Sequence, residues 1–194
     1  MTAATWITVF RLGMVPAFAA CLIVAGREEP GSESQMFWRG WALACFAAAS
    51  ISDAIDGFIA RRFRQESVLG AMLDPLADKL LLGTALLLLT FGPGWDGQRL
   101  PWWMLALVIF RDLATIGALA WFRSRKISVA IRPHWTGKVS TCLVMALIVV
   151  WLIGIGPEIR PLLVLAAAGS VLASTVVYFA QGLQLTRAAN AARS

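Results

Sequence analysis

The sequence is short of charge, and the shortage extends along the whole chain. Only 14% of the 194 residues are charged, whereas a soluble domain carries roughly 25%. Because no stretch has the charge density of a soluble domain, a single anchor attached to a soluble body is excluded. We therefore expect one membrane domain over residues 1–194.

Cysteine is scarce, and its spacing matches no known site. Cys21, Cys45 and Cys142 lie in separate apolar stretches, so the close pairs typical of zinc sites and redox motifs are excluded. The chain also lacks an internal repeat, which a transporter built from inverted halves would be expected to show. The net charge is +6, but no nucleic-acid-binding motif accompanies it, so we expect no nucleic-acid partner.

Long apolar stretches are what the chain has instead. Six of them are long enough for a membrane helix, which needs about 20 residues. Helices are expected because lipid leaves an open backbone without hydrogen-bond partners. The predicted spans are 5–25, 36–58, 68–92, 101–122, 137–155 and 159–184. The predicted fold class is an all-α membrane protein with six transmembrane helices.

Basic residues concentrate in alternate loops. One set of loops contains the clusters Arg61–Arg64 and Arg123–Lys126. The opposite loops contain scattered arginines diluted by acidic residues, and these arginines are Arg27, Arg39, Arg99 and Arg160. By the positive-inside rule, the basic loops and both termini are expected to be cytoplasmic.

Four of the eleven acidic residues lie in the short segment Ser52–Lys79. Asp53 and Asp56 are three residues apart in the second span. Asp74 and Asp78 are four apart in the third, so each pair lies on one helix face. Counted from the basic turn between the spans, the pairs lie about 13 and 10 Å along their helices, at similar depth. Two antiparallel helices would then present four carboxylates to one point.

Four converging carboxylates are typical of a site for hard divalent cations, which take oxygen ligands. Two such ions about 3.5–4 Å apart form a clamp for phosphoryl chemistry. Gly57 and Gly70 would let a ligand approach the backbone closely, and Arg61 has the planar fork that binds phosphate. We therefore expect two divalent cations, Mg²⁺ or Mn²⁺, as cofactors.

Two alternatives remain. The protein could be a divalent-metal transporter, or the four acids could simply face water or pair with a nearby arginine. A transport path needs polar residues that continue to the far side of the membrane. After Lys79 the third span reads LLLGTALLLLTF, in which only Thr84 and Thr90 are weakly polar. The sequence therefore favours a site that is open to the cytoplasm and closed below.

The spacing of the acidic segment resembles the signature of the CDP-alcohol phosphatidyltransferases. The match is Asp53-x-x-Asp56-Gly57-x-x-Ala60-Arg61, then Gly70-x-x-x-Asp74-x-x-x-Asp78. A second match to the family is the amino-terminal pattern Ile7-Thr8-x-x-Arg11 followed by Pro16. The Asn-Pro-Asn that often precedes this pattern is replaced here by Ala3-Ala4-Thr5.

The resemblance implies metal-dependent transfer of a phosphatidyl group from CDP-diacylglycerol to an alcohol, with release of CMP. It makes Asp53, Asp56 and Asp74 metal ligands, and it makes Asp78 the general base and a further ligand. The CDP-binding positions that carry over are Asp56, Gly57, Ala60, Arg61 and Gly70. The expected location is the bacterial inner membrane, with membrane lipid and a second copy of the chain as further partners to test.

The acceptor alcohol is less determined. A downstream basic set suits an acceptor that carries phosphate, and it consists of Arg111, Arg132, His134 and Lys138. Arg111 lies inside an apolar stretch beside Asp112, so it either binds the acceptor or pairs with that acid. Family members that use glycerol 3-phosphate usually have Arg-Glu at this point and a second lysine in place of Ser140. We favour glycerol 3-phosphate and keep phosphatidylglycerol, which would give cardiolipin, as the alternative.

Overall fold

The computed structural model describes the backbone of residues 3–63, 68–93, 99–124, 135–154, 156 and 158–191, and the side chains of 9–52, 76–93, 99–118, 121, 135–154, 156 and 158–182. Within these ranges the chain forms six α-helices and no strand. The helices are α1 Ala3–Ala25, α2 Glu33–Phe63, α3 Val68–Phe91, α4 Trp102–Ser124, α5 Trp135–Ile153 and α6 Ile159–Ala191. The all-α prediction is confirmed, because each predicted span coincides with one helix.

Two helix ends lie more than three residues beyond the predicted bounds. The predicted turn at Arg61 is wrong, because α2 continues through Phe63 and contains both Ala60 and Arg61. The segment FIARRF has no glycine or proline, and its alanine and arginines are good helix formers. For the same reason α6 continues past position 184 as far as Ala191, through a polar but helix-compatible sequence.

The start of α2 is defined by a local hydrogen-bonded cap. The Gln35 amide donates to the Ser32 hydroxyl at 3.1 Å, and the Gly31 amide donates to the Gln35 side-chain oxygen at 2.9 Å. Serine before the first turn, with glutamine three residues later, satisfies amides that have no partner within the helix. Gly31 has a φ of 80°, which glycine adopts without strain. The cap fixes where the buried face of α2 begins.

One compact unit consists of Met1–Pro101 with Ile148–Gly154. In it α1 packs against α2 and α3, and α2 also contacts α3. The buried rings of Phe18 and Phe46 meet with centroids 5.8 Å apart. This contact fixes the register of α1 against α2.

The carboxyl end of α5 belongs to the same unit and is capped by an arginine from α2. Arg39 donates through Nε to the Leu152 carbonyl oxygen at 3.1 Å and through Nη2 to the Trp151 carbonyl oxygen at 2.9 Å. The Gly154 amide closes the helix onto the Val150 carbonyl oxygen at 3.1 Å, with a φ of 77° at Gly154. The last carbonyls of a helix lack partners within it and carry partial negative charge, so a buried guanidinium suits this position.

The structure corrects the assignment of two arginines to loops. Arg39 lies inside α2, and Arg160 is the second residue of α6. Both side chains are buried. They therefore act in packing and hydrogen bonding, and they add little to the charge of the loops.

The second compact unit consists of Trp102–Leu147 with Ile155–Ser194, and in it α4 packs against α6. Val144, Leu147, Val164, Ala167 and Val171 are among its buried residues. Among the described residues of the whole chain, two helical segments, Trp135–Ile153 and Ile159–Gly182, meet both the length and the hydropathy needed to cross a membrane. Each predicted span is thus a helix, and two of the six pass this stricter test.

Candidate functional site

One face of α2 is buried along its described length. Its buried residues recur at steps of three or four, as neighbours on one helix face do. They are Gln35, Arg39, Ala42, Phe46 and Ala49. The same alternation continues to positions 53, 56 and 60, all of which lie within α2. By helix geometry, Asp53, Asp56 and Ala60 therefore share the helix face that is buried over residues 35–49.

Asp78 lies at the amino-terminal end of a buried stripe on α3. The stripe continues at steps of four, four and three through Leu82, Leu86 and Leu89, all of which are buried. Leu76 and Leu80, on another face, are exposed by 53% and 41%. Asp78 itself is half-buried. A carboxylate at the end of an apolar stripe is costly unless it serves a site or a partner.

The two aspartate pairs lie on helices that contact each other. Asp74 precedes Asp78 by four residues in α3, so these two share a helix face. The side chains of Asp53, Asp56 and Asp74 lie outside the described residues, as do those of Ala60 and Arg61 and the surroundings of Gly57 and Gly70. The convergence of the four carboxylates and the CDP-binding role of this segment therefore stay predictions.

The donor set is of the kind that binds hard cations. Four carboxylates at these register positions supply only oxygen, which suits Mg²⁺ or Mn²⁺ better than metals that prefer thiolate or imidazole. Among the side chains that the structure describes, no three acidic, histidine or cysteine residues are close enough to hold a metal. Only one of the four predicted ligands is in that set, so the two-metal site also stays a prediction.

Sequence reasoning gave Arg11 no role of its own, and the structure places it in the core. Its side chain is 1% exposed. Along α1 it belongs to the buried stripe that continues through Phe18, Leu22 and Ala25. The available signal was its seven-residue separation from Phe18, which is two helical turns on one face.

In the second unit, Arg111 is held by two neighbours. Its Nε and Nη2 donate to Asp112 Oδ1 at 3.0 and 2.9 Å, and its Nη1 donates to the Ser140 hydroxyl at 2.9 Å. The side chains of Arg111 and Asp112 are 12% and 26% exposed. Guanidinium has five N–H donors, and these contacts use three of them. The pairing with Asp112 is thus present, and two donors are left for an anionic ligand.

Near Ser140, the surface of α5 brings together further polar groups. Lys138 is exposed. The Tyr178 hydroxyl from α6 lies directly against Gly137, where any side chain would displace it. Ser140 is one turn after Gly137 on the same face and is fully buried. The predicted acceptor residues Arg132 and His134 lie outside the described residues.

Residues 1–181 match the sequence profile of the CDP-alcohol phosphatidyltransferase family. The chain is 32% identical over 182 residues to a Mycobacterium tuberculosis protein provisionally named phosphatidylglycerophosphate synthase, a match that covers 92% of this chain and 80% of the relative. It is 34% identical over 155 residues to the CDP-diacylglycerol–glycerol-3-phosphate 3-phosphatidyltransferase of Cereibacter sphaeroides, covering 78% of this chain and 63% of the relative.

A third relative has a different name. A Mycobacterium bovis protein provisionally named cardiolipin synthase is 32% identical over 141 residues, covering 73% of this chain and 59% of that protein. The profile match spans nearly the whole chain and includes both aspartate pairs. It decides against the transporter alternative, because the family consists of transferases of phospholipid biosynthesis. The chain therefore belongs to the CDP-alcohol phosphatidyltransferase family and is an enzyme of that kind.

Proposed function

We propose that the protein transfers the phosphatidyl group of CDP-diacylglycerol to glycerol 3-phosphate, giving phosphatidylglycerophosphate and CMP. The observation that supports the chemistry is that α2 contacts α3, and that Asp53 and Asp56 continue the spacing of the buried residues on α2 while the half-buried Asp78 precedes a buried stripe on α3. A membrane helix bears a carboxylate at such a position only at a cost of about 2.5–3.5 kcal/mol. The choice of acceptor is supported by the names of the relatives from Mycobacterium tuberculosis and Cereibacter sphaeroides.

The reaction needs little covalent help from the protein. The acceptor hydroxyl oxygen forms a bond to the phosphorus that carries diacylglycerol, and the bond from that phosphorus to the CMP oxygen breaks. Asp78 accepts the hydroxyl proton, for which a base needs hydrogen-bond reach and a suitable pKa. Arg61 stabilises the charge on the departing CMP phosphate. Phosphoryl transfer depends mainly on such positioning and charge stabilisation.

Asp53, Asp56 and Asp74, with Asp78, are the residues that would hold two divalent cations, Mg²⁺ or Mn²⁺. When bound, such ions neutralise phosphate charge and orient the reacting groups. Asp56, Gly57, Ala60, Arg61 and Gly70 would surround the CDP portion. Gly57 and Gly70 suit this role because a missing side chain lets a ligand come close to the helix backbone.

The acceptor phosphate is proposed to bind Arg111 and Lys138, with Arg132 or His134. The support comes from the fixed guanidinium of Arg111, whose contacts to Asp112 and Ser140 hold it in one orientation. A group held in place before binding loses less entropy when a ligand arrives. Its remaining donors form charge-assisted hydrogen bonds of the kind that bind phosphate.

Six membrane spans with cytoplasmic termini are part of the same proposal. All six helices carry exposed large apolar side chains, as expected of lipid-facing surfaces. One example from each helix is Phe10, Phe37, Phe91, Phe110, Ile153 and Phe179. The basic loops support a cytoplasmic active site in the bacterial inner membrane. The family match over residues 1–181 supports one functional domain, and a homodimer stays a prediction.

Cardiolipin synthesis from phosphatidylglycerol is the second candidate. It is favoured by Asp112 and Ser140, which stand where a glutamate and a lysine are usual in members that use glycerol 3-phosphate. The relative from Mycobacterium bovis supports the same reading. Both candidates use CDP-diacylglycerol, so they differ only in the alcohol.

The test is CMP release by the purified protein with CDP-diacylglycerol and either glycerol 3-phosphate or phosphatidylglycerol. We expect turnover with glycerol 3-phosphate; turnover with phosphatidylglycerol alone would establish the second candidate.

Arg111→Ala and Lys138→Ala should each raise the acceptor KM about ten- to a hundredfold, since a charged hydrogen bond contributes roughly 1.5–3 kcal/mol. The KM for CDP-diacylglycerol should change little. If both acceptor constants stay at their original values, the phosphate pocket is wrong.

A further inference from the structure

A guanidinium buried in the first unit needs an opposite charge nearby. Arg11 is 1% exposed, and arginine keeps its proton in proteins. Burying a charge is destabilising unless a partner offsets it. Glu28, Glu29 and Glu33 follow the far end of α1, and the 14 residues of helix from Arg11 to Ala25 span about 21 Å at 1.5 Å per residue. These three acids cannot reach Arg11.

The helix register shows two acids that can, besides the half-buried Asp78 of α3, a helix that also packs against α1. Phe18 on α1 touches Phe46 on α2, and the two helices run in opposite directions. Seven residues back from Phe18 is Arg11, and seven residues on from Phe46 is Asp53. Seven residues are close to two turns, so each residue lies on the same face as its phenylalanine. Arg11 and Asp53 are therefore at the same level on the facing sides of α1 and α2.

The direction of the side chain extends this match to Asp56. Side chains on a helix lean toward its amino terminus, so we expect the Arg11 guanidinium to extend toward the level of residues 7–8 of α1. The antiparallel register places these opposite positions 56 and 57 of α2. A guanidinium that leaves α1 at the level of Asp53 and leans toward that of Asp56 can serve both carboxylates.

We propose that Arg11 is a positioning residue of the acidic site, whose charge offsets and orients the carboxylates of Asp53 and Asp56. Its burial keeps it from touching the substrate, so it acts through these aspartates. The proposal deepens the proposed function. Only its predicted effect on CMP release depends on that function being correct. The charge coupling itself is measured without substrate.

The experiment is a set of thermal unfolding measurements on the purified full chain in detergent. Arg11→Met removes the charge at similar length and should lower Tm by roughly 6–20 °C, because it leaves the carboxylates of the acidic site without their proposed counter-charge. Adding Asp53→Asn or Asp56→Asn should recover much of that loss. Arg27→Met is the matched control, since Arg27 is an exposed arginine just after α1, and its Tm should not move.

A purely packing role for Arg11 gives a different pattern. The Tm losses of Arg11→Met and the asparagine variants would then simply add, and this result would overturn the proposal. If Arg11→Met cannot be purified, recovery of folded protein in the double variant supports the pairing, and equal loss of the double variant overturns it. Arg11→Lys, which keeps the charge, should retain more CMP release than Arg11→Met. Equal activity of these two variants would also contradict a role for the charge. Loss of CMP release in Asp53→Asn tests the proposed function separately.

Discussion

Arg11 and Arg39 are both buried arginines of the first unit, and by our proposal they differ in the kind of group that offsets their charge. Arg39 donates to the Leu152 and Trp151 carbonyl oxygens at the end of α5, so its charge is offset by backbone dipoles. Arg11 lies at the level of two carboxylates predicted to act in the reaction. The comparison teaches that burial alone does not distinguish a structural arginine from a functional one, and that the kind of partner is the distinguishing property.

The largest effect is expected on CMP release when the aspartates proposed to interact with Arg11 or to bind metal are replaced. Asp53→Asn, Asp56→Asn and Asp74→Asn should each nearly abolish CMP release, because each removes a charged ligand from the proposed two-metal site. A chelator should do the same to the unmodified protein, and added Mg²⁺ or Mn²⁺ should restore activity. Full CMP release in excess chelator would end the metal proposal.

Asp78→Asn should lose turnover and keep CDP-lipid binding if Asp78 is chiefly the base.

An intermediate effect is expected at Arg39. Arg39→Met removes two charge-assisted hydrogen bonds, each worth about 1.5–3 kcal/mol, and leaves the Leu152 and Trp151 carbonyls without this donor. We expect Tm to fall by about 6–24 °C at 2–4 °C per kcal/mol. The KM values and the turnover per folded molecule should stay unchanged. A raised KM for either substrate would instead indicate that Arg39 has a functional role.

The smallest effect is expected at Gly154. Its φ of 77° is unfavourable for other residues by about 1–2 kcal/mol, and an added Cβ would lie 2.6 Å from Arg39 Nη2. Gly154→Ala should lower Tm by about 2–8 °C. Gly156→Ala, where an added Cβ meets nothing within 4 Å, is the matched control. Equal Tm values for the two variants would show that the Arg39 cap does not depend on this turn.

The sequence predicts much of the fold because long apolar stretches separated by polar, glycine- and proline-containing breaks indicate where helices lie. The six spans are confirmed as helices, and the steps of three and four between the aspartates predict their shared faces. The partners of arginines are harder to predict, since they lie far apart in sequence. Arg39 binds carbonyls 112 and 113 residues away, and Arg111 binds a hydroxyl 29 residues away. Helix packing creates these contacts, and no local pattern encodes it.

The seven-residue step shared by α1 and α2 has a consequence for how this chain can vary in length. One residue inserted between Phe46 and Asp53 would rotate the rest of α2 by about 100°, since a helix has 3.6 residues per turn. Both aspartates would then leave the face that, by our proposal, meets Arg11. An insertion in the connection around Gly31 leaves the phase of both helices intact. Natural and engineered insertions in this region should therefore accumulate in that connection. Between Phe46 and Asp53 on α2, and between Arg11 and Phe18 on α1, only insertions of about seven residues should be tolerated.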